Sequence, residues 1–365
     1  MLAHKHSATR HIAAILALLL IATTESAFAQ TPTLVQIEDA WKSRQNNMQS
    51  VSFKWDSIHV VPAGAYNHRD LKGRSHTVPE TSATMKRQTE LLLCGNRSRL
   101  TIRGEQFRIG ISRIIDATTV FGTDGSKAWH IDFPSQARGD YPFCMQFKDP
   151  GNVGVTAMCL PIKMTCRTHD DSFLMPLHLS DFQIRESGPS LTLVSEKNLP
   201  QRETLTLGNR PGYPMLTYRV ESDGRKLVEV ECSYSAPNVL TGWKYLYYFS
   251  SGALSEQAQA TSVVSELGKC DDLQVFAPNF PKDALVNDID KDEYYILNAD
   301  GSKRLVLPNE QQFGIDYAEL RATTSGGAGK TTFSFLNTLF YSICALVAIA
   351  FAYYGIKRFF VPPKS

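Results

Sequence analysis

The chain has 365 residues, with 38 basic and 36 acidic side chains, a formal net charge of +2 at pH 7 and a hydrophobic fraction of 43%. That balance leaves no electrostatic footprint for nucleic acid. Apart from its two apolar ends, the polarity is that of an ordinary exported or soluble domain long enough for a substantial core.

The N-terminus reads as a secretory signal peptide over residues 1–29. Lys5 and Arg10 precede the apolar run Ile12–Ala22, and Ala27-Phe28-Ala29 supplies a small-x-small cleavage pattern ahead of Gln30. Near the other end, Phe333–Tyr354 is 22 residues without a charge, long enough as a helix to cross a bilayer core. Lys357, Arg358 and Lys364 follow it, so the positive-inside rule puts the tail 355–365 in the cytoplasm and residues 30–322 outside. Ser325–Thr332, SGGAGKTT, looks like a phosphate-binding loop. Thr324 stands where such a loop needs its first glycine, no strand precedes it, and the segment 323–332 reads as a tether. The expected protein is single-pass, with one large exported domain.

Within that domain Thr33 and Gln36 form a capping-box pair, and Leu34, Ile37, Trp41 and Met48 share a face, predicting one amphipathic helix. From Val51 the period changes to two, predicting a half-buried strand toward Val61. Pro62–Glu80 reads as a loop. Hairpin turns are expected at Gly95-Asn96, Asp124-Gly125, Asp223-Gly224, Ser251-Gly252 and Asp300-Gly301, where glycine supplies the positive φ of a tight turn. Hairpins in series imply an antiparallel sheet of at least ten strands, which must curl, close or split. Phe143–Leu179, rich in Cys, Pro and Met, reads as a helical insertion covering one face. The fold class is mostly β (α+β): a large curved sheet or half-barrel on a few helices, plus one C-terminal transmembrane helix.

Seven cysteines occur and Cys344 falls in the apolar segment, leaving Cys94, Cys144, Cys159, Cys166, Cys232 and Cys270 as disulfide candidates. At least one local bridge is expected among Cys144, Cys159 and Cys166; Cys94 and Cys232, in strand-like runs, also suit buried thiols. Cys159, Cys166, His169 and His178 are too widely spaced for a typical zinc site, and DIDKDEYY lacks the glycine and terminal Glu of a calcium loop. No metal or cofactor is expected. HExxH, GxSxG and CxxC do not occur, and His59 and His130, placed on strands, read as structural histidines. The chain reads as a non-enzyme, though a triad needs no sequence proximity.

The order of a signal peptide, one amphipathic helix and a long meander with a helical insertion resembles the bacterial lipoprotein-carrier (LolA/RseB-like) superfamily. The phrases AWKSRQNNMQSVSFKW, GTDGSKAW and FAPNFPKDALVND carry the resemblance over Leu34 to Leu307. It implies a curved, unclosed sheet wrapped over helices with an apolar cavity for acyl chains, and no catalytic residues. This chain is longer than such carriers and ends in an apolar helix. What the resemblance implies is a membrane-held module that binds or senses a lipid or lipoprotein. Phe53, Trp55, Trp129 and Trp243 are the candidate cavity residues, although residues of this kind more often serve as plain core than as ligand wall. Two other readings remain: an envelope scaffold working through protein partners without a small ligand, and a hydrolase with a dispersed site.

Overall fold

The computed structural model describes residues 31–69, 75–109, 112–133, 141–148, 159–166, 177–197, 200–236, 238–268, 270, 272–311 and 320. Two compact units divide the chain, Met1–Leu307 and Pro308–Ser365. Of the second, the short helix Pro308–Gln311 and the buried Leu320 are described. The expected signal peptide, tether, transmembrane segment and tail lie outside the described residues. Among the described residues, no helix is long and apolar enough to cross a membrane.

The first unit opens with α1 (Leu34–Asn47). Thr33 caps it as the sequence predicts: its hydroxyl accepts from Gln36 N–H while the Gln36 side chain accepts from Thr33 N–H, satisfying two donors that would otherwise be orphaned. The strands are β1 (Ser50–Val61), β2 (Tyr66–Arg69), β3 (Ser75–Val78), β4 (Ala83–Cys94), β5 (Arg97–Arg108), β6 (Arg113–Thr123), β7 (Ala128–Phe133) and β8 (Phe143–Phe147). After α2 (Leu160–Cys166) come β9 (Gln183–Ser187), β10 (Ser190–Ser195), β11 (Gln201–Gly208), β12 (Met215–Ser222), β13 (Arg225–Ala236), β14 (Val239–Tyr248) and β15 (Leu254–Leu267). Last are β16 (Ala284–Asp288), β17 (Glu293–Leu297) and β18 (Lys303–Leu305).

Sixteen of these strands form one sheet in the order β18-β17-β16-β8-β7-β6-β5-β4-β1-β15-β14-β13-β12-β11-β10-β9. Its construction is simple. One meander, β4 to β8, grows outward from one side of β1; a second starts at the far edge with β9 and works back until β15 closes on the other side. All five turns read from the sequence join consecutive strands, and Asp223 (φ 51) with Gly224 (φ 74) gives the paired left-handed geometry of a type I′ turn.

Three details differ from expectation. The stretch read as a loop after β1 contains the separate β2–β3 hairpin, and the region read as a helical insertion begins with β8, a strand of the main sheet. The sheet is also not wholly antiparallel. The chain from β15 crosses over the first wing, and β16 lies parallel to β8.

Strand registers line residues up across the sheet. Ile184, Leu193, Leu205, Tyr218, Val230, Tyr245, Ala258, His59 and Met85 form one transverse row through β9 to β15, β1 and β4. Because side chains alternate faces, this row and its two-residue neighbours define an inner face. Ile37 and Trp41 of α1 and Ile162 of α2 share one buried cluster with that face. The Trp41 indole donates to Tyr213 O at 2.9 Å, fixing α1 to the β11–β12 turn.

Candidate functional site

The inner face has two chemically distinct zones around β1. The first is apolar. Phe53 and Trp55 of β1 and Trp243 of β14 join Leu91, Leu100, Tyr245 and Trp41 in the main cluster. Trp55 and Trp243 meet edge to face, ring centroids 6.2 Å apart at 71°, a geometry the aromatic quadrupole favours. They are 3% and 2% exposed, and Phe53 2%. Both indole nitrogens nevertheless lack a hydrogen-bond partner, as does the Oγ1 of Thr89, directly across from Trp55 on β4. Three unsatisfied polar atoms in one apolar zone run against the usual pairing of buried donors.

The fourth candidate, Trp129, stands elsewhere. Its partner across β6–β7 is Gly122, which faces the outer side, and its ring lies where a Gly122 side chain would be, 2.2 Å from a built Cβ. Its indole donates to Phe276 O at 3.0 Å. Sequence periodicity could place each tryptophan on a strand, but only the register shows which share a face.

The second zone is polar and was not legible in the sequence. Ser57 and His59 continue the same face of β1; Arg87 lies across from Ser57 on β4, and Glu256 reaches in from β15. His59 is fully buried, with Nε2 3.1 Å from Ser57 Oγ and Nδ1 3.2 Å from Glu256 Oε1. Arg87 Nη1 also approaches Nδ1 at 3.2 Å, while its Nε donates to Glu105 O and Nη2 to Met85 Sδ. Burial holds the His59 imidazole below its ordinary value despite the neighbouring carboxylate. At Glu256, burial pushes upward, but the His59 hydrogen bond and the charges of His59 and Arg87 outweigh it and hold the carboxyl low. Tyr66 of the β2–β3 hairpin bonds Ser255 beside this zone. Two residues apart on one strand, Ser57 and His59 gave a weak clue; Arg87 and Glu256, 28 and 197 positions from His59, gave none.

Ser57, His59 and Glu256 have the connectivity of a nucleophile, base and orienting carboxylate. Their chemistry turns on the tautomer. With the proton on Nδ1, His59 donates to Glu256 and accepts from Ser57. With Nδ1 accepting from Arg87, the proton sits on Nε2 and Ser57 becomes the acceptor, which is the wrong direction for a base. Ser57 is 4% exposed.

Polar burial continues on the inner face of β5–β7. Arg108 pairs with Asp132 at 2.5 Å, and the Thr119 hydroxyl contacts Asp132 Oδ1 at 2.9 Å and Gln106 Oε1 at 3.1 Å. His130, 8% exposed, stacks on Phe121 with ring centroids 4.4 Å apart, and neither ring nitrogen has a partner. Desolvation holds His130 below its usual value. So the two histidines expected to be structural differ: His59 is tied into a network and His130 is not.

The outer face carries grooves of about 550, 340 and 300 Å³ that share Thr261 or Ser262 at the β1–β15 bulge. Lys54, Lys86 and Arg103 line them beside Asp56, Glu90 and Glu231, a mixture of signs that selects no ligand class.

The cysteines correct one expectation. Of the local bridges expected among Cys144, Cys159 and Cys166, those through Cys144 are not formed: Cys144 is a free thiol packed with Ala284, Val286 and Tyr295, and Cys159 belongs to the main cluster. Burial pushes the thiols of Cys144 and Cys232 up to about 12, far from the range in which a thiol reacts. Cys270 donates its S–H to Leu93 O at 3.3 Å, and Cys94 ends β4, half-buried. The Cys166 side chain and Cys344 lie outside the described residues.

No family model matches the chain, and no curated protein matches it. Among solved structures, it is similar to a domain from Vibrio parahaemolyticus provisionally called an outer membrane lipoprotein-sorting protein. The likeness covers 66% of this chain and 95% of that one, at 9% identity and a TM-score of 0.38. At that level it stands as a weak likeness of fold, without weight for function.

Proposed function

We propose that the sheet unit is a non-catalytic binding module for an amphipathic acyl ligand, a lipid or the lipid-bearing end of a lipoprotein. In this reading it is exported, held at the membrane by residues 333–354, and needs no cofactor. One observation carries the proposal: on one sheet face, an aromatic floor with unsatisfied indole N–H groups runs directly into a buried band of Arg87, His59 and Glu256. Acyl chains match the first zone and a polar head the second. Ligand pockets are mostly apolar with a few placed polar groups. The aromatic side chains now pack on one another and on α1, so binding requires α1 and α2 to shift from the face.

The test is native mass spectrometry of the full chain released from a mild detergent, with and without offered phospholipid and acylated peptide. Adduct masses matching those species, lost on Trp55→Ala/Trp243→Ala, support the reading. A bare mass under all conditions removes it and leaves a partner-binding scaffold.

The connectivity Ser57–His59–Glu256 supports a second reading, an acyl hydrolase with Ser57 as nucleophile. A fluorophosphonate probe that labels Ser57 in the wild type, and fails to label His59→Gln, would favour it. No labelling in either would discard it.

A further inference from the structure

The chain leaving β15 is fixed to the sheet at successive points. Gly268, at φ 79, turns it across the start of β1, with its N–H donating to Ser50 O at 3.0 Å. Two residues on, the Cys270 sulfur lies 3.3 Å from Leu93 O, on the strand beyond β1. Farther along, Arg99 of β5 donates to Val275 O at 3.3 Å, and Trp129 of β7 donates to Phe276 O. The buried Phe276 ends the 3-10 turn Leu273–Phe276, which Asp272 caps through Gln274 N–H. This strap joins β15 to β16 and so ties the two wings of the sheet together.

Cys94 is the next residue after Leu93. Register places it across from Ser50, the same residue whose carbonyl anchors Gly268. The Cys270 sulfur therefore touches the peptide that links Leu93 to Cys94, close to the short span a disulfide bridges. Accessibility separates this pair from Cys144 and Cys159, and position separates it from Cys232, which is half-buried like the pair but lies on β13. Cys94 and Cys270 are both half-buried at the sheet end, whereas Cys144 and Cys159 are fully buried. Cys144 and Cys232 sit on β8 and β13, with seven strands between them, about 40 Å at the usual strand spacing.

We propose that Cys94 and Cys270 are a redox pair whose disulfide pins the strap to β4. The thiol form is the one described above. In the oxidation, a thiolate of the pair attacks a sulfur of a disulfide-carrying exchange partner, and the second thiolate attacks the protein sulfur of the resulting mixed disulfide and displaces the partner's thiolate. One S–S bond forms in the protein, two protons leave, and two electrons reduce the partner to its dithiol. The bond would close a chain loop spanning β5 to β15, and long loops are where such a link most restricts the unfolded chain.

The experiment uses the full chain, reduced, then equilibrated with oxidised and reduced glutathione, trapped with N-ethylmaleimide and mapped by protease digestion and mass spectrometry. The expected product is a peptide pair linked through Cys94 and Cys270, 2 Da lighter than the two thiols, and a raised Tm that returns to the reduced value with reductant. Cys232→Ser leaves the link unchanged, and Cys270→Ser abolishes it and places glutathione on Cys94. If both cysteines emerge alkylated, carry separate glutathiones or pair with other cysteines, the proposal is overturned. A link without any change in Tm overturns the pinning role while keeping the pair.

Discussion

The two wings of the sheet bury very different inner faces. From β9 to β14 the buried inner positions include Leu191, Leu193, Leu205, Leu207, Val220 and Val230. From β5 to β7 the same side buries Gln106, Arg108, Thr119, His130 and Asp132. Both wings are meanders of similar hairpins, so strand formation does not depend on which chemistry is inside. The contrast lies in what each wing demands of its neighbours. Apolar side chains ask only for volume, whereas buried charges ask for a partner at one distance and angle. The strand between the wings, β1, takes part in both, with Phe53 and Trp55 at one end and Ser57 and His59 at the other. That junction is the proposed ligand face.

Mutations break the contrast in order of size. Asp132→Ala strips the carboxylate from Arg108 and should cost about 3–5 kcal/mol by urea denaturation, while Asp132→Leu combined with Arg108→Met should recover most of it. In the apolar wing Leu205→Ala should cost about 2–5 kcal/mol through cavity formation, but Leu205→Met less than about 1.5 kcal/mol. A double mutant that is no better than Asp132→Ala would show that the polar wing depends on more than that ion pair.

Gly122→Ala should cost about 1–3 kcal/mol, because the added methyl meets the Trp129 ring and must move it. A shift in the tryptophan emission spectrum would accompany the loss. The pH response sharpens the comparison further. His59 and His130 are held neutral below their unfolded value, so as pH falls through about 6.5 the unfolded chain takes up protons that the folded chain refuses. Stability is then full above that pH and falls below it. Glu256, held low, adds its own loss at more acid pH, beginning as pH falls through the ordinary carboxyl range and continuing below it. Thermal melts should drop in Tm between pH 7.5 and 5.5, less for His59→Gln and least for His59→Gln/His130→Gln. An unchanged slope in the double variant would remove both histidines as the cause. The smallest effect expected is Thr33→Ala, about 1 kcal/mol from the lost cap of α1, read in the same melts.

Local chemistry made much of this protein readable from its residues. Thr33 with Gln36 marks a helix start, Asp223-Gly224 a tight hairpin and Val51–Val61 a strand, because each signal acts over a few residues and needs no distant partner. The mostly β class follows from hairpins in series. Other features depended on chain segments far apart in sequence. The register alone put Trp55 and Trp243 in contact and Trp129 on the other face, since a one-residue change reverses the side of a strand residue. Ser57, His59, Arg87 and Glu256 became one network because β4 and β15, whose Arg87 and Glu256 stand 169 positions apart in the chain, flank the same strand. Cys270 came to Leu93 for the same reason, through a turn at Gly268 that only the assembled sheet edge makes meaningful. Sequence determined which elements form, because propensity, capping and turn geometry are local. The tertiary structure decided which of them meet, because contacts between distant segments depend on register and topology, which no local signal encodes.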